Sequence, residues 1–279
     1  MFQAMNIQRI AAFTDGNAGG NPAGVLIAEE LPVLAEMQRI ASEIGFSETA
    51  FAARTGRGWR VRYFSPESEV PFCGHATVAL GAALAQHEGD GVFALQLNDA
   101  EITVEGRAQD GVVRAALQSP PTRSVPPCRR VVDEVLELFG YDDADLDPRL
   151  PPAVIHAGAD HLLLALQTRE ALSAMHYDLA AGGTLMRREG LVTIVLAWAE
   201  TPQRFHTRNA FAWGGVYEDP ATGAATAALA GYLRDLGWPH GGAIDVVQGE
   251  DMGCRSHLHA EIPETRGSSI RVSGTTRPL

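Results

Sequence analysis

In PFCGHATVALGAAL, residues 71–84, a thiol, a glycine and an imidazole stand directly ahead of an alanine-rich run. Cys73 beside His75 offers a nucleophile, a metal site, a racemase base or an inert helix start. A helix N-terminus favours the thiolate. A Cys–His hydrolase is a weak reading, because residues two apart at a helix start are not expected to face one another and no third member stands out. A zinc site would have to draw on Cys254, His257 and His259. His257 and His259 can share one strand face, but CGH is not a usual ligand pair, so no metal is expected. Glu48 lies in FSETAF, residues 46–51, flanked by Phe46, Ala50 and Phe51. Those neighbours would give it the partly desolvated setting that a proton shuttle near neutral pH needs. Taken singly, Glu48 also reads as an edge-strand glutamate, His75 as a capping or core residue, and Asp219 as a helix N-terminal acid.

The segment recurs. PATGAATAALAGYL, residues 220–233, matches it at Pro71/Pro220, Gly74/Gly223, Ala76-Thr77/Ala225-Thr226, Ala79-Leu80/Ala228-Leu229 and Leu84/Leu233. Each copy follows an arginine-bearing strand (Arg62, Arg208) and an acidic residue (Glu69; Glu218 and Asp219). That shared context favours duplication, and hence two like domains facing each other. Small residues after the CysGly or ThrGly step let each helix sit buried inside a sheet, and the glycine leaves room for a ligand near the backbone. The unpaired N–H groups and the positive end of the dipole attract an anion. Two such starts across a cleft would clamp a small carboxylate; the plainer alternative is two buried helices capped by protein groups.

The elements that position these residues are short and mixed. NIQRIAAF alternates like a strand, and a glycine- and asparagine-rich loop, DGNAGGNPAGV, follows. Leu34, Met37, Ile40 and Ile44 at helical spacing, with Pro32 near the start, predict a helix over 33–44. Strands are expected at 48–54 and 59–64, a helix to about Glu88, and a meander near 92–97, 101–105 and 112–117. QSPPTRSVPPC, residues 118–128, carries four prolines in eleven residues and cannot continue a helix or a central strand. It sets a first domain at 1–118, a linker over 119–128 and a second domain over 129–279. Beyond it come strands (153–157, 161–166, 192–199, 243–248, 257–262, 270–273) and helices near 168–175, 178–189 and 222–236. The pattern is α+β in two halves, not the βαβ alternation of a parallel sheet.

Composition limits the partners. A formal net charge of −12 argues against nucleic acid and anionic membrane as partners, while a local site for a small anion stays open. Three scattered cysteines (Cys73, Cys128, Cys254) do not form a disulfide framework, and MFQAMNIQRI lacks the apolar core of a signal peptide. A reducing, cytoplasmic location is expected.

GNPAGV (20–25), FSETAF (46–51), RYFSPESEVPFCGHAT (62–77), EDPATGAA (218–225) and QGEDMGCRS (248–256) occur in the order seen in PhzF-like proteins. That family is named for a phenazine-biosynthesis isomerase and is similar to diaminopimelate epimerase, and the chain resembles it over nearly its whole length. The resemblance implies two pseudo-symmetric domains, each an antiparallel barrel-like sheet around a central helix, with the active site between them. It implies a homodimer, no cofactor, and a last strand near 268–275 that completes the first barrel. The activity it implies is a cofactor-independent isomerase moving a proton within a small carboxylate-bearing molecule. Glu48 takes the general acid/base role, His75 contacts the substrate carboxylate or assists transfer, and Asp219 holds the substrate's polar groups. Asn21, Cys73, Gly74, Thr222, Gly223 and Ala224 are the implied substrate contacts.

The chain departs from its relatives at two places. In diaminopimelate epimerase, paired cysteines at the helix starts act as base and acid. Thr222 fills the second position here, and its hydroxyl is a poor base, so a two-thiol racemase is not expected. Where the phenazine isomerase pattern has TGSA, this chain has Thr222-Gly223-Ala224-Ala225, which removes one donor, and RNAFAWGGVYEDP lacks the spacing of RYFSP. These departures point to a different substrate. They leave open a non-catalytic small-molecule binding protein, or an amino- or hydroxy-acid epimerase.

Overall fold

An alanine-rich helix with no polar face is stable only when surrounded, and the fold surrounds two of them. The computed structural model describes residues 6–98, 100–109 and 111–279. The chain divides into two units, one running to Gln118 and rejoined by Ser273–Leu279, the other Ser119–Val272.

The first unit runs β1 (Gln8–Ala12), β2 (Asn21–Ala28), α1 (Leu34–Ile44), β3 (Glu48–Thr55), β4 (Gly58–Phe64), β5 (Glu69–Val70), α2 (Gly74–Glu88), β6 (Gly91–Gln96), β7 (Glu101–Gln109) and β8 (Val112–Gln118). Neighbouring strands pair as β1–β2–β3–β4–β6–β7–β8. The C-terminal strand, Arg271–Pro278, pairs with both β8 and β1 and closes an eight-stranded barrel. Closure leaves no open edge. The barrel-like sheet is mainly antiparallel, as expected, with two parallel pairings. β2–β3 and β4–β6 are parallel, because α1 and α2 connect them and a helical crossover returns the chain in the same direction. Residues 74–85 of α2 are all buried. Its approach to β7 is so close that a Cβ on Gly106 would lie 2.1 Å from the Gly81 carbonyl oxygen. Met37, Ile40 and Ala41 of α1 pack outside the barrel against Leu26, Phe51 and Phe64.

The second unit contains β9 (Arg123–Val125), α3 (Arg129–Phe139), β10 (Ala153–His156), β11 (Asp160–Ala165), α4 (Arg169–Ser173), α5 (Leu179–Glu189), β12 (Thr193–Thr201), β13 (Arg204–Phe211), β14 (Val216–Asp219), α6 (Gly223–Leu236), β15 (Ala243–Gln248) and β16 (Ser256–Glu261). Pairing runs β9–β10–β11–β12–β13–β15–β16, again parallel at β11–β12 and β13–β15, and Gly223–Arg234 of α6 are all buried. Within the proline-rich stretch 119–128, Arg123–Val125 is a strand, and Ser119 and Thr122 donate backbone N–H groups to Ile270 and Gly267. The four prolines lie outside the three paired residues, where a missing N–H costs the ladder nothing. Leu136, Phe139, Tyr177, Leu185 and Met186 build a core on the outer face of the β11–β12 sheet. Among the described residues no helix is long and apolar enough to cross a membrane.

Strand registers place the two units in correspondence. Ala23, Glu48, Ala50, Tyr63 and Val70 of the first unit occupy the ladder positions of His161, Thr193, Val195, Asn209 and Asp219 of the second. The hairpin after β4 needs four residues (65–68) between the matched positions Phe64 and Glu69. Its counterpart needs seven (211–217) between Ala210 and Glu218, with a register shift at Ala210/Phe211. That insertion accounts for the irregular RNAFAWGGVYEDP.

Candidate active site

Glu48 is the first residue of β3, opposite Ala23 of β2, and is buried in the barrel wall. The first turn of α2 brings His75 to it, with Nε2 of His75 3.4 Å from Oε2 of Glu48. Ser47 Oγ lies at the same distance from Nε2. Asn21 is buried at the start of β2, on the same strand face as Ala23.

Contrary to expectation, Cys73 and His75 do meet: Sγ of Cys73 is 3.3 Å from Nδ1 of His75. Cys73 is the N-cap residue, with extended φ/ψ of −141° and 118°, while His75 is already helical. That change of backbone conformation turns the thiol over the first turn. Buried Tyr63 pins this corner. Its hydroxyl donates to Thr77 Oγ1 (2.7 Å), and Thr77 donates in turn to the Cys73 carbonyl (2.6 Å). Burial drives the Tyr63 phenol pKa upward, which keeps it a donor. Glu48, Cys73 and His75 place one donor atom each within 4.8 Å of one another. His257 and His259 share the partly exposed face of β16, and His259 pairs with Asp245.

The second unit carries a different set. Asp219 ends β14, is buried, and accepts a 2.5 Å hydrogen bond from Thr222 Oγ1. Gln248, fully inside the second unit, completes the arrangement. Its Nε2 donates to the Asp219 carbonyl (2.7 Å) and Thr222 Oγ1 (3.0 Å), and its Oε1 accepts from the Thr222 amide (3.1 Å). Neither Cys73 nor Thr222 caps its helix through the side chain. Gly74 and Gly223 are the first helical residues, and Ala224 takes the place that His75 has in the first unit.

Bidentate pairs tie together the two strands that precede each helix start. Arg62 holds Glu69 through contacts of 2.7 and 2.6 Å, and Arg208 holds Glu218 through contacts of 3.0 and 2.5 Å. The paired arginine keeps the Glu69 carboxyl below its usual range.

Gln248 and Ser47 both lie within quoted motifs, but sequence reasoning gave neither a role. A lone Gln closing the apolar strand AIDVVQ is the signal that could have found Gln248. The Thr193–His161 hydrogen bond (2.7 Å), at the ladder position matching Glu48–Ala23, becomes visible only through strand registers.

Two units, each a mixed sheet packed on a buried alanine-rich helix, give the chain the diaminopimelate epimerase-like fold. The model of the phenazine biosynthesis-like protein family matches residues 10–278. The chain belongs to that PhzF family and is an isomerase. A Deinococcus radiodurans protein called an uncharacterized isomerase is 34% identical over 278 residues, covering 94% of this chain and 88% of the relative. The trans-2,3-dihydro-3-hydroxyanthranilate isomerase of Pseudomonas fluorescens is 32% identical, covering 90% of this chain and 88% of the relative. The crystal structure of a Bacillus anthracis phenazine biosynthesis protein of the PhzF family superposes with a TM-score of 0.83 at 22% identity, covering 99% of this chain and 97% of that one.

Proposed function

We propose that the isomerisation is a cofactor-independent proton transfer within a small carboxylate-bearing molecule. Glu48 takes a proton from an activated C–H position and returns it elsewhere on the same molecule, so no atom is gained or lost. His75 assists that transfer or meets the substrate carboxylate. The first-turn N–H groups at Gly74 and Gly223 bind anionic oxygen, and Asp219 holds the substrate's donor groups. The duplication of the two helix starts and the family resemblance support a substrate held by both of them.

The observation that carries the proposal is the buried Glu48–His75 pair at 3.4 Å. Such a contact is long for a resting hydrogen bond but is of the kind that tightens when substrate binds. Trans-2,3-dihydro-3-hydroxyanthranilate, the compound named for the Pseudomonas relatives, is the reference compound of the substrate panel. Because Ala224 stands where the phenazine isomerase pattern has serine, other unsaturated or amino-substituted acids are tested beside it.

Mass-spectrometric deuterium uptake in D₂O tests it, with wild type and Glu48→Gln run on the same panel. Uptake that Glu48→Gln abolishes supports the assignment. Uptake indifferent to that change removes Glu48 as the base.

A further inference from the structure

We propose that Glu48, Cys73 and His75 together form a site for a thiophilic divalent cation of the zinc class, and that such an ion inhibits the enzyme reversibly. Thiolate, imidazole and carboxylate donors suit zinc or cobalt, whereas magnesium and calcium demand oxygen ligands. The three donor atoms lie mutually within 4.8 Å. Nε2 of His75 is the nitrogen that serves both neighbours, being 3.4 Å from Glu48 Oε2 and 4.0 Å from Cys73 Sγ. Tetrahedral zinc, with Zn–S about 2.3 Å and Zn–N and Zn–O about 2.0–2.2 Å, has ligand–ligand edges of roughly 3.3–3.6 Å. Closing the triad therefore needs only small side-chain movements, and the fourth position is left to water.

The setting favours occupation. All three side chains are buried, so the charge that the ligands carry once metal is bound is met by the dication in place of water. Glu48 begins a barrel strand, His75 sits in the first turn of a fully buried helix segment, and the Tyr63–Thr77 relay fixes the Cys73 backbone. Binding exchanges the thiol proton for the metal, with Cys–SH + M²⁺ giving Cys–S–M⁺ and a released H⁺, and no oxidation occurs. The site itself rests on this geometry alone. The inhibition rests on the proposed role of Glu48, whose carboxylate the metal would withdraw from proton transfer.

Cobalt(II) is the probe for binding, titrated into the full chain with zinc as competitor. One equivalent should develop a near-ultraviolet thiolate-to-cobalt band and intense visible bands of four-coordinate metal. Cys73→Ser should abolish the near-ultraviolet band. Glu48→Gln should retain it while weakening affinity by at least the roughly 10–100-fold that loss of a mere outer partner costs. Cys254→Ser should change nothing. Absence of the band, its survival in Cys73→Ser, its loss in Cys254→Ser, or unchanged affinity in Glu48→Gln each overturns the site. Should Cys73→Ser fail to fold, the Glu48→Gln and Cys254→Ser titrations decide it. Zinc is then titrated into the deuterium-exchange assay. Metal bound at the triad without loss of exchange overturns the inhibition and counts against Glu48 as base. Glu48-dependent exchange without metal binding overturns the metal site and leaves the proton-transfer reading intact.

Discussion

Oε2 of Glu48 and Nε2 of His75 stand 3.4 Å apart, with both side chains less than a tenth exposed. The matching positions of the second unit hold Thr193 and Ala224, so the duplicated fold carries this acid–base pair once. If the two act as one proton-handling unit, their losses will not add. Glu48→Gln should slow deuterium exchange by about 10²–10⁴-fold, the contribution of a positioned acid–base group. His75→Gln should slow it less, and the double variant should be no worse than Glu48→Gln alone. Kinetics of the three variants check this; fully multiplicative losses would show two independent groups.

The duplicated arginine–glutamate pairs differ in burial, which predicts different consequences. Arg208 and Glu218 are 9% and 3% exposed, Arg62 and Glu69 21% and 24%. Arg208→Ala strands a buried carboxylate and should cost about 3–5 kcal/mol. Arg62→Ala leaves Glu69 partly hydrated and should cost clearly less. Replacing both Arg208 and Glu218 with Met and Leu should recover most of the loss. Urea unfolding of the variants measures each step, and equal costs for Arg208→Ala and Arg62→Ala would contradict the burial argument.

Much of this architecture is legible locally. The run after Cys73 is rich in small helix-compatible residues with no polar face, so both helix and burial follow from it. The meander at β6–β8 follows from alternation. What local reading misses comes from partners distant in sequence. β9 is three residues between proline pairs and is a strand only because β10 receives it. Gln248 reaches the helix start at Thr222 from a strand 26 positions later. The meeting of Cys73 and His75 depends on the N-cap conformation, which residue spacing does not reveal. Matching the two helices by sequence finds the repeat, but not that Asn209 stands where Tyr63 does. Tyr63 satisfies Thr77, whereas Asn209 Oδ1 has no partner among the described residues and borders a small gap with Thr207 and Thr226.

His161 gives the second unit an acid-sensitive spot. Its Nδ1 is 2.7 Å from Thr193 Oγ1, and its Nε2 has no partner among the described residues. Burial pushes its pKa down to about 4, with Asp160 opposing the shift and His156 adding to it. The unfolded chain protonates this imidazole near pH 6.5, and the folded one only near pH 4. Between those values the unfolded state binds the extra proton, so stability falls as pH drops, by at most about 1.4 kcal/mol per pH unit. Thermal unfolding across pH 4–7 should show a shallower acid decline in His161→Gln than in wild type. Parallel curves would mean another group governs that limb.

Gly106 marks the closest approach of helix and barrel. A Cβ there would meet the Gly81 carbonyl oxygen at 2.1 Å, and backbone cannot rotate away as a side chain can. Gly106→Ala should therefore destabilise by about 1–3 kcal/mol or more through overpacking. Gly111→Ala, whose Cβ meets nothing, should cost only the strain of its positive φ of 79°. Denaturation midpoints rank the two, and Gly106→Ala should come out clearly the worse.

Ala224 offers a gain-of-function test of how the second helix start is used. It lies in the first turn of α6, beside Gly223, where the phenazine isomerase pattern has serine, and it retains slight exposure. A hydroxyl restored there adds one donor near the N–H groups proposed to bind substrate oxygen. One neutral hydrogen bond is worth about 0.5–1.5 kcal/mol net. Ala224→Ser should thus lower KM for a carboxylate-bearing substrate by roughly 2–10-fold, leaving kcat and the unfolding midpoint nearly unchanged. The split between KM and kcat identifies the hydroxyl as a ground-state binding contact, remote from the proton transfer assigned to Glu48. Unchanged KM on every substrate that shows Glu48-dependent exchange would place the substrate away from the α6 N-terminus. A rise in kcat would instead bring residue 224 into contact with the charge that develops during transfer.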